Sequence, residues 1–136
     1  MKKTHRGSCH CGAVSFECDT DLAKETSRCN CSICIKSRFW KALVPVAEFR
    51  LLKGADAITE YRFGSKAISH RFCATCGVKV FGVVHLDLDE MKGDFCAINV
   101  AALDGVSPEE WDALPIHYED GRNNRWDRAP ESKGYL

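Results

Sequence analysis

Polar and apolar residues alternate with a period of two along much of this chain, the pattern of strands that bury one face. In "AVSFEC" (13–18) Val14, Phe16 and Cys18 fall on one side, Ser15 and Glu17 on the other. "KALVPV" (41–46) and "EFRLLK" (48–53) follow, and Pro45 marks an edge or a bend. "AITEYRF" (57–63) is rich in β-formers, and Gly64-Ser65 supplies a turn before "AISHRF" (67–72). "VKVFGVVHL" (78–86) and "FCAINV" (95–100) predict two further strands, with "DLDEMKGD" (87–94) as the loop between them. Helical signals are few. A short turn is expected through "SICIKS" (32–37), and a helix through "SPEEWDAL" (107–114), with Ser107 as cap, Pro108 first and acids in the opening turn. Residues 122–136 are polar and predict a loose tail. No repeat, linker or low-complexity segment divides the chain, so one mainly-β domain over residues 1–136 is expected.

Composition narrows the function classes. A chain of 136 residues can bury its own core, so metal is not required merely to offset small size. Nineteen basic residues balance nineteen acidic ones, which argues against broad electrostatic binding to nucleic acid. The opening "MKKTHRGSCHCG" has two lysines with no apolar stretch behind them, unlike a signal peptide. No apolar run approaches the roughly 20 residues of a membrane helix. The expected compartment is the cytoplasm, with neither nucleic acid nor membrane as partner.

Nine cysteines change the picture, because in a reducing compartment clustered thiols read as metal ligands or redox groups before disulfides. Seven lie in three clusters: "SCHCG" (Cys9, Cys11), "RCNCSICIKS" (Cys29, Cys31, Cys34) and "FCATCG" (Cys73, Cys76). The first and third clusters each end in glycine, Gly12 or Gly77. That fits a knuckle, where the chain curls so that backbone N–H groups face the sulfurs, and glycine makes the turn cheap. Two ligands from each knuckle complete a tetrahedral four-cysteine site, for which zinc is the usual occupant. Cys29, Cys31 and Cys34 remain as a set of three. Cys18, Cys96 and His70 are candidate fourth ligands, but all three occupy strand-like apolar stretches and read better as packed residues.

In this order, "GSCHCGAVSF", "RCNCSICIKS", "FRLLKGADAITEYRFGS", "HRFCATCGVKVFG" and "AINVAALDG" resemble the GFA family, named for glutathione-dependent formaldehyde-activating enzyme and shared with CENP-V-type proteins. The matching core runs from about residue 7 to 105. The resemblance implies a β-tent fold: several small antiparallel sheets with short helical turns, stabilised by zinc. It implies two zinc ions, a structural one on Cys9, Cys11, Cys73 and Cys76 and a catalytic one on Cys29, Cys31 and Cys34. It implies, further, a carbon–sulfur lyase activity of the S-(hydroxymethyl)glutathione synthase kind, with glutathione or a similar small thiol and an aldehyde as partners.

The bare chemistry of three cysteines leads the same way. Zinc held by three thiolates keeps one position for an outside ligand, and a thiol that takes it is deprotonated. Arg28, Lys36, Arg38 and Lys41 crowd this stretch and either offset the site's negative charge and meet a ligand's carboxylates, or are solvated surface charges. Two readings stand side by side. One is a zinc-dependent protein that forms or cleaves an S-hydroxymethyl-type adduct, and the other a non-catalytic zinc-stabilised module that carries a thiol or binds a protein partner.

Overall fold

The computed structural model describes residues 1–136, and it is mainly β. Ten strands make two sheets: β1 (Lys3–Ser8), β2 (Ser15–Thr20), β3 (Thr26–Cys29), β4 (Trp40–Pro45), β5 (Phe49–Lys53), β6 (Ile58–Tyr61), β7 (Ser69–Cys73), β8 (Lys79–Asp87), β9 (Lys92–Asn99) and β10 (Ile116–Glu119). The smaller sheet has the order β1-β2-β5, and the larger runs β10-β3-β4-β9-β8-β7-β6. Neighbours pair antiparallel except β10 and β3, which are parallel. Two short helices, α1 (Ser32–Ser37) and α2 (Pro108–Asp112), complete the regular structure beside four single-turn 3₁₀ segments.

All seven strands expected from alternation are present, with shifted ends. The first begins at Ser15 rather than Ala13, because the residues before it are spent on a turn. Its inward side is the one the pattern picks, with Val14, Phe16 and Cys18 fully buried. The stretch 87–94, expected as a loop, is mostly hairpin: His85, Leu86 and Asp87 pair with Asp94, Gly93 and Lys92, leaving 88–91 to turn the chain. Ser107 accepts from the N–H of Glu110 while the Glu110 side chain accepts from the N–H of Ser107, a complete capping box ahead of Pro108.

The sheets meet through an aromatic stack. Phe16 of β2 lies 5.4 Å from Phe49 of β5, which in turn lies 4.6 Å from Phe81 of β8 in the other sheet. Burying one such ring contributes about 1.5–3 kcal/mol. Val14, Val44, Val80, Ile98 and Val100 surround the stack and fill the space between the sheets. No helix is long and apolar enough to cross a membrane.

Candidate metal centre

All nine cysteines are free thiols, and seven of them gather into two sets. The sulfurs of Cys9, Cys11, Cys73 and Cys76 lie within 4.8 Å of one another, and so do those of Cys29, Cys31 and Cys34. In the four-cysteine set the Cys9–Cys11 and Cys11–Cys73 sulfurs are 3.7 and 3.6 Å apart. Sulfurs about 2.3 Å from a tetrahedral ion stand roughly 3.8 Å from each other, whereas a disulfide would need about 2.05 Å. The spacing fits four thiolates around one ion.

Local backbone geometry builds this set. Cys9 follows β1 and Cys11 sits in the turn to β2, where Gly12 has φ +80°. Cys73 ends β7 and Cys76 sits in the turn to β8, where Gly77 has φ +76°. Positive φ is the conformation that glycine adopts without strain. The two turns are built alike: Cys9 N–H donates to Val14 O and Cys73 N–H to Val78 O, both at 3.0 Å. Backbone N–H groups then face the sulfurs, Val14 on Cys9 at 3.3 Å and Thr75 and Cys76 on Cys73 at 3.4 and 3.5 Å. Such donors favour thiolate. N–H groups of Val78 and Cys11 draw Cys76 down to about 6, and those of Cys76 and Thr75 pull Cys73 below its ordinary range. Since β1 and β2 belong to one sheet and β7 and β8 to the other, this set clamps the two sheets together.

The three-cysteine set is local. Cys29 ends β3, Cys31 precedes α1 and Cys34 lies in its first turn. Hydrogen bonds from Cys29 and then Cys34 hold Cys31 well below the usual thiol range, while Cys34 is pushed up by Cys29 and Cys31. A cation loaded on this set would displace the protons these thiols hold. No histidine, carboxylate or fourth cysteine joins it. Cys18 and Cys96 are core residues, their thiols raised by burial to about 12 and about 11.

Around this set the chain has placed cations. Arg28 and Arg38 line a pocket with Cys29, Cys34 and Phe39, and Leu136 flanks it. Arg28 lies over the Trp40 ring at 4.8 Å, and its Nε is buried without a hydrogen-bond partner. Lys36 points into solvent on the outer side of α1 and does not line the pocket. Lys41 is half-buried and pairs with Glu119 at 2.5 Å; burial works against its charge, but Glu119 and the sulfurs of Cys34 and Cys29 keep it above its ordinary value. Lys79 and His70 stand nearby, joined by a 2.9 Å hydrogen bond.

A polar bracket fixes the set from behind. Asn30, between two of the cysteines, is buried; its side chain donates to Asp120 at 2.7 Å and accepts from the N–H of Arg122 at 2.8 Å. Asp120 also accepts from Asn123, and Arg125 pairs with it at 3.3 Å. Gly121 packs so closely that a Cβ there would lie 2.5 Å from the Cys29 sulfur. Residues 122–136, read from the sequence as a loose tail, run along this face, where Arg38 donates to Tyr135 O at 2.5 Å and Lys133 lies over the Tyr118 ring. Sequence reasoning missed Asn30, Glu119, Asp120 and Gly121. The polar residue between two ligands was the one local signal, while the others arrive from 90 residues away through the β3–β10 pairing.

A family model for glutathione-dependent formaldehyde-activating enzyme, GFA, matches residues 4–118. Among solved structures, the crystal structure of a Rhodobacter sphaeroides protein is similar, with 31% sequence identity and a TM-score of 0.66, covering 82% of this chain and 98% of the other.

Proposed function

The chain belongs to the glutathione-dependent formaldehyde-activating enzyme family, and on that premise we propose that it is a zinc-dependent, carbon–sulfur lyase-like protein of the cytoplasm. It binds glutathione or a similar small thiol at Cys29, Cys31 and Cys34, and forms or cleaves an S-hydroxymethyl-type adduct with an aldehyde. Two zinc ions serve it, one structural on Cys9, Cys11, Cys73 and Cys76, the other at the three-cysteine set. The observation that carries this reading is the contrast between a closed set of four sulfurs and a set of three that nothing in the chain completes.

Bound at the smaller set, the ion supplies an open position for an outside ligand and favours the thiolate form of a thiol that takes it. The chain's own residues do the rest. Cys29, Cys31 and Cys34 give up their protons on loading, and the bracket of Asn30 and Asp120 keeps Cys29 and Cys31 in register. Three thiolates on a divalent ion leave about one negative charge, which Lys41 offsets from below. Arg28 and Arg38 flank the opening and meet the carboxylates of the thiol, with Lys36 further out as a solvated contribution. Among these, Arg28 is the strongest candidate, because its buried Nε lacks a partner.

Cobalt substitution tests the reading, since sulfur-to-metal charge-transfer absorption grows with the number of thiolates. Glutathione added to the cobalt form should raise that absorption, and Cys34→Ser should weaken the response. A spectrum already showing two four-thiolate sites, indifferent to glutathione, would put the non-catalytic binding or carrier module in its place.

A further inference from the structure

The pocket beside Cys29 and Cys34 is closed to a molecule of the size of glutathione. Its cavity is about 10 Å³, room for about one water, whereas small-molecule sites enclose roughly 300 Å³ or more. A lining group must therefore move before a thiol reaches these sulfurs. Arg28 and Cys29 are fixed in β3, Cys34 and Ile35 in α1. Phe39 is buried, and Arg38 closes α1 with its N–H on the Ile35 carbonyl and a left-handed φ of +53°. Leu136 is the remaining member of the lining, and it is half-buried.

The segment that carries Leu136 is loosely attached. The Arg128 carbonyl accepts from Asp120 N–H at 3.0 Å. Beyond it, residues 129–136 belong to no helix or strand and make no backbone–backbone hydrogen bond to the rest of the chain. Their one such bond is internal, from Leu136 N–H to Lys133 O at 3.0 Å. Residues 131–135 are all exposed. Two side-chain contacts hold them down: Arg38 donates to Tyr135 O, and the Lys133 ammonium stands 4.9 Å from the centre of the Tyr118 ring. Segments with few buried contacts and exposed hydrogen bonds are the first to open. Arg38 would also gain by the exchange, because a carboxylate accepts from a guanidinium more strongly than a peptide carbonyl does. Arg28 Nε, in the same pocket, is buried with no partner, so closure leaves one donor of the site unmet.

We propose that residues 129–136 are a strap that closes the three-cysteine pocket, and that a thiol enters by displacing it. The assignment rests on the reading above, that a small thiol bearing carboxylates binds at this set. In the closed form Leu136 fills the mouth of the pocket and the Tyr135 carbonyl occupies Arg38. In the open form a ligand carboxylate takes Arg38, Arg28 comes within its reach, and the body of the thiol lies where the Leu136 side chain was. The hinge is at Arg128, where the last backbone bond to the folded chain is made. A closed strap weakens the apparent affinity of the site in proportion to the fraction of chains that are open, and it shields the sulfurs until a thiol arrives.

On ¹⁵N-labelled, zinc-loaded chain, glutathione should carry the amide signals of Gly134, Tyr135 and Leu136 to disordered positions at the concentrations that fill the site. Leu136→Ser should bind glutathione about tenfold more tightly in the cobalt form, the gain expected if the strap is open about one-tenth of the time. Zinc release to a chelator reads the strap without any thiol. Leu136→Ser should speed release from the three-cysteine set about tenfold and leave the four-cysteine phase unchanged, with Lys133→Ala acting the same way by a smaller factor. Faster release in a chain whose cobalt form ignores glutathione would refute the thiol and leave the strap. Unchanged release and affinity in both variants would overturn the proposal, as would strap signals that stay in place while glutathione binds. Weaker glutathione binding by Leu136→Ser would overturn displacement too, and make the segment a lid that holds the ligand. Should Leu136→Ser disturb the fold, the amide signals of the wild-type chain and the release rate of Lys133→Ala still decide.

Discussion

Gly121 has no side chain to place between Cys29 and Trp126, and its neighbours leave no room for one. An added Cβ would meet the Cys29 sulfur and the Trp126 ring, both at 2.5 Å. The backbone there is not left-handed, so the demand on glycine is for space alone. Gly121→Ala should therefore push Cys29 off its position and lower metal occupancy at the three-cysteine set, while the four-cysteine set keeps its ion. Metal counting on the purified variant checks this, with about one ion per chain expected in place of two. Retention of two would show that Trp126 swings aside and that Gly121 does not position the sulfur. His70 teaches a related lesson at the same scale. Its alternation with Ile68 and Phe72 marks a packed histidine, and it is packed, yet the burial of an unpartnered nitrogen is invisible in that alternation.

At the scale of elements, what could be read from the chain depended on how local the cause was. The knuckles were legible because C-x-C and C-x2-C with a following glycine state their geometry within five residues. The inward face of β2 was legible because one sheet face is buried and the other is wet. β1, β3 and β10 were not, since "KTHRGS", "TSRC" and "IHYE" are short or polar and hold their shape through partners. β10 pairs with β3 across 90 residues in a parallel register, which no local pattern announces. The same distinction sets a prediction for ligand substitutions. Cys73→Ser removes a ligand that ties β7 to the first sheet, and structural zinc sites contribute on the order of 10 kcal/mol to folding. Cys31→Ser alters a set confined to six residues beside α1. Thermal melts should show a large loss for the first and a small one for the second, with the cobalt response to glutathione impaired only by Cys31→Ser. Equal large losses would mean that the smaller set is structural too.

For the whole molecule, the two sets differ in the protons they must release. In the set that joins the sheets, Cys73 and Cys76 are already lowered, Cys76 to about 6, by backbone donors that persist with or without an ion, and Cys11 alone is raised. In the three-cysteine set Cys29 and Cys34 are both raised and only Cys31 is lowered. A raised thiol holds its proton more tightly against a metal, so as pH falls the smaller set should empty first. The number of ligands points the same way, because three sulfurs hold an ion less firmly than four. Chelator titration at neutral pH should thus release zinc in two phases, and the separation should widen as the pH is lowered. The first phase should leave the far-ultraviolet circular dichroism unchanged, since α1 and the end of β3 make up little of the regular structure, and the second should coincide with loss of the contact between the sheets. Glutathione present from the start should delay the first phase alone. A single phase with unfolding throughout would show that both ions hold one cooperative structure, and the smaller set could not then load and unload as a site for an exchanging ligand.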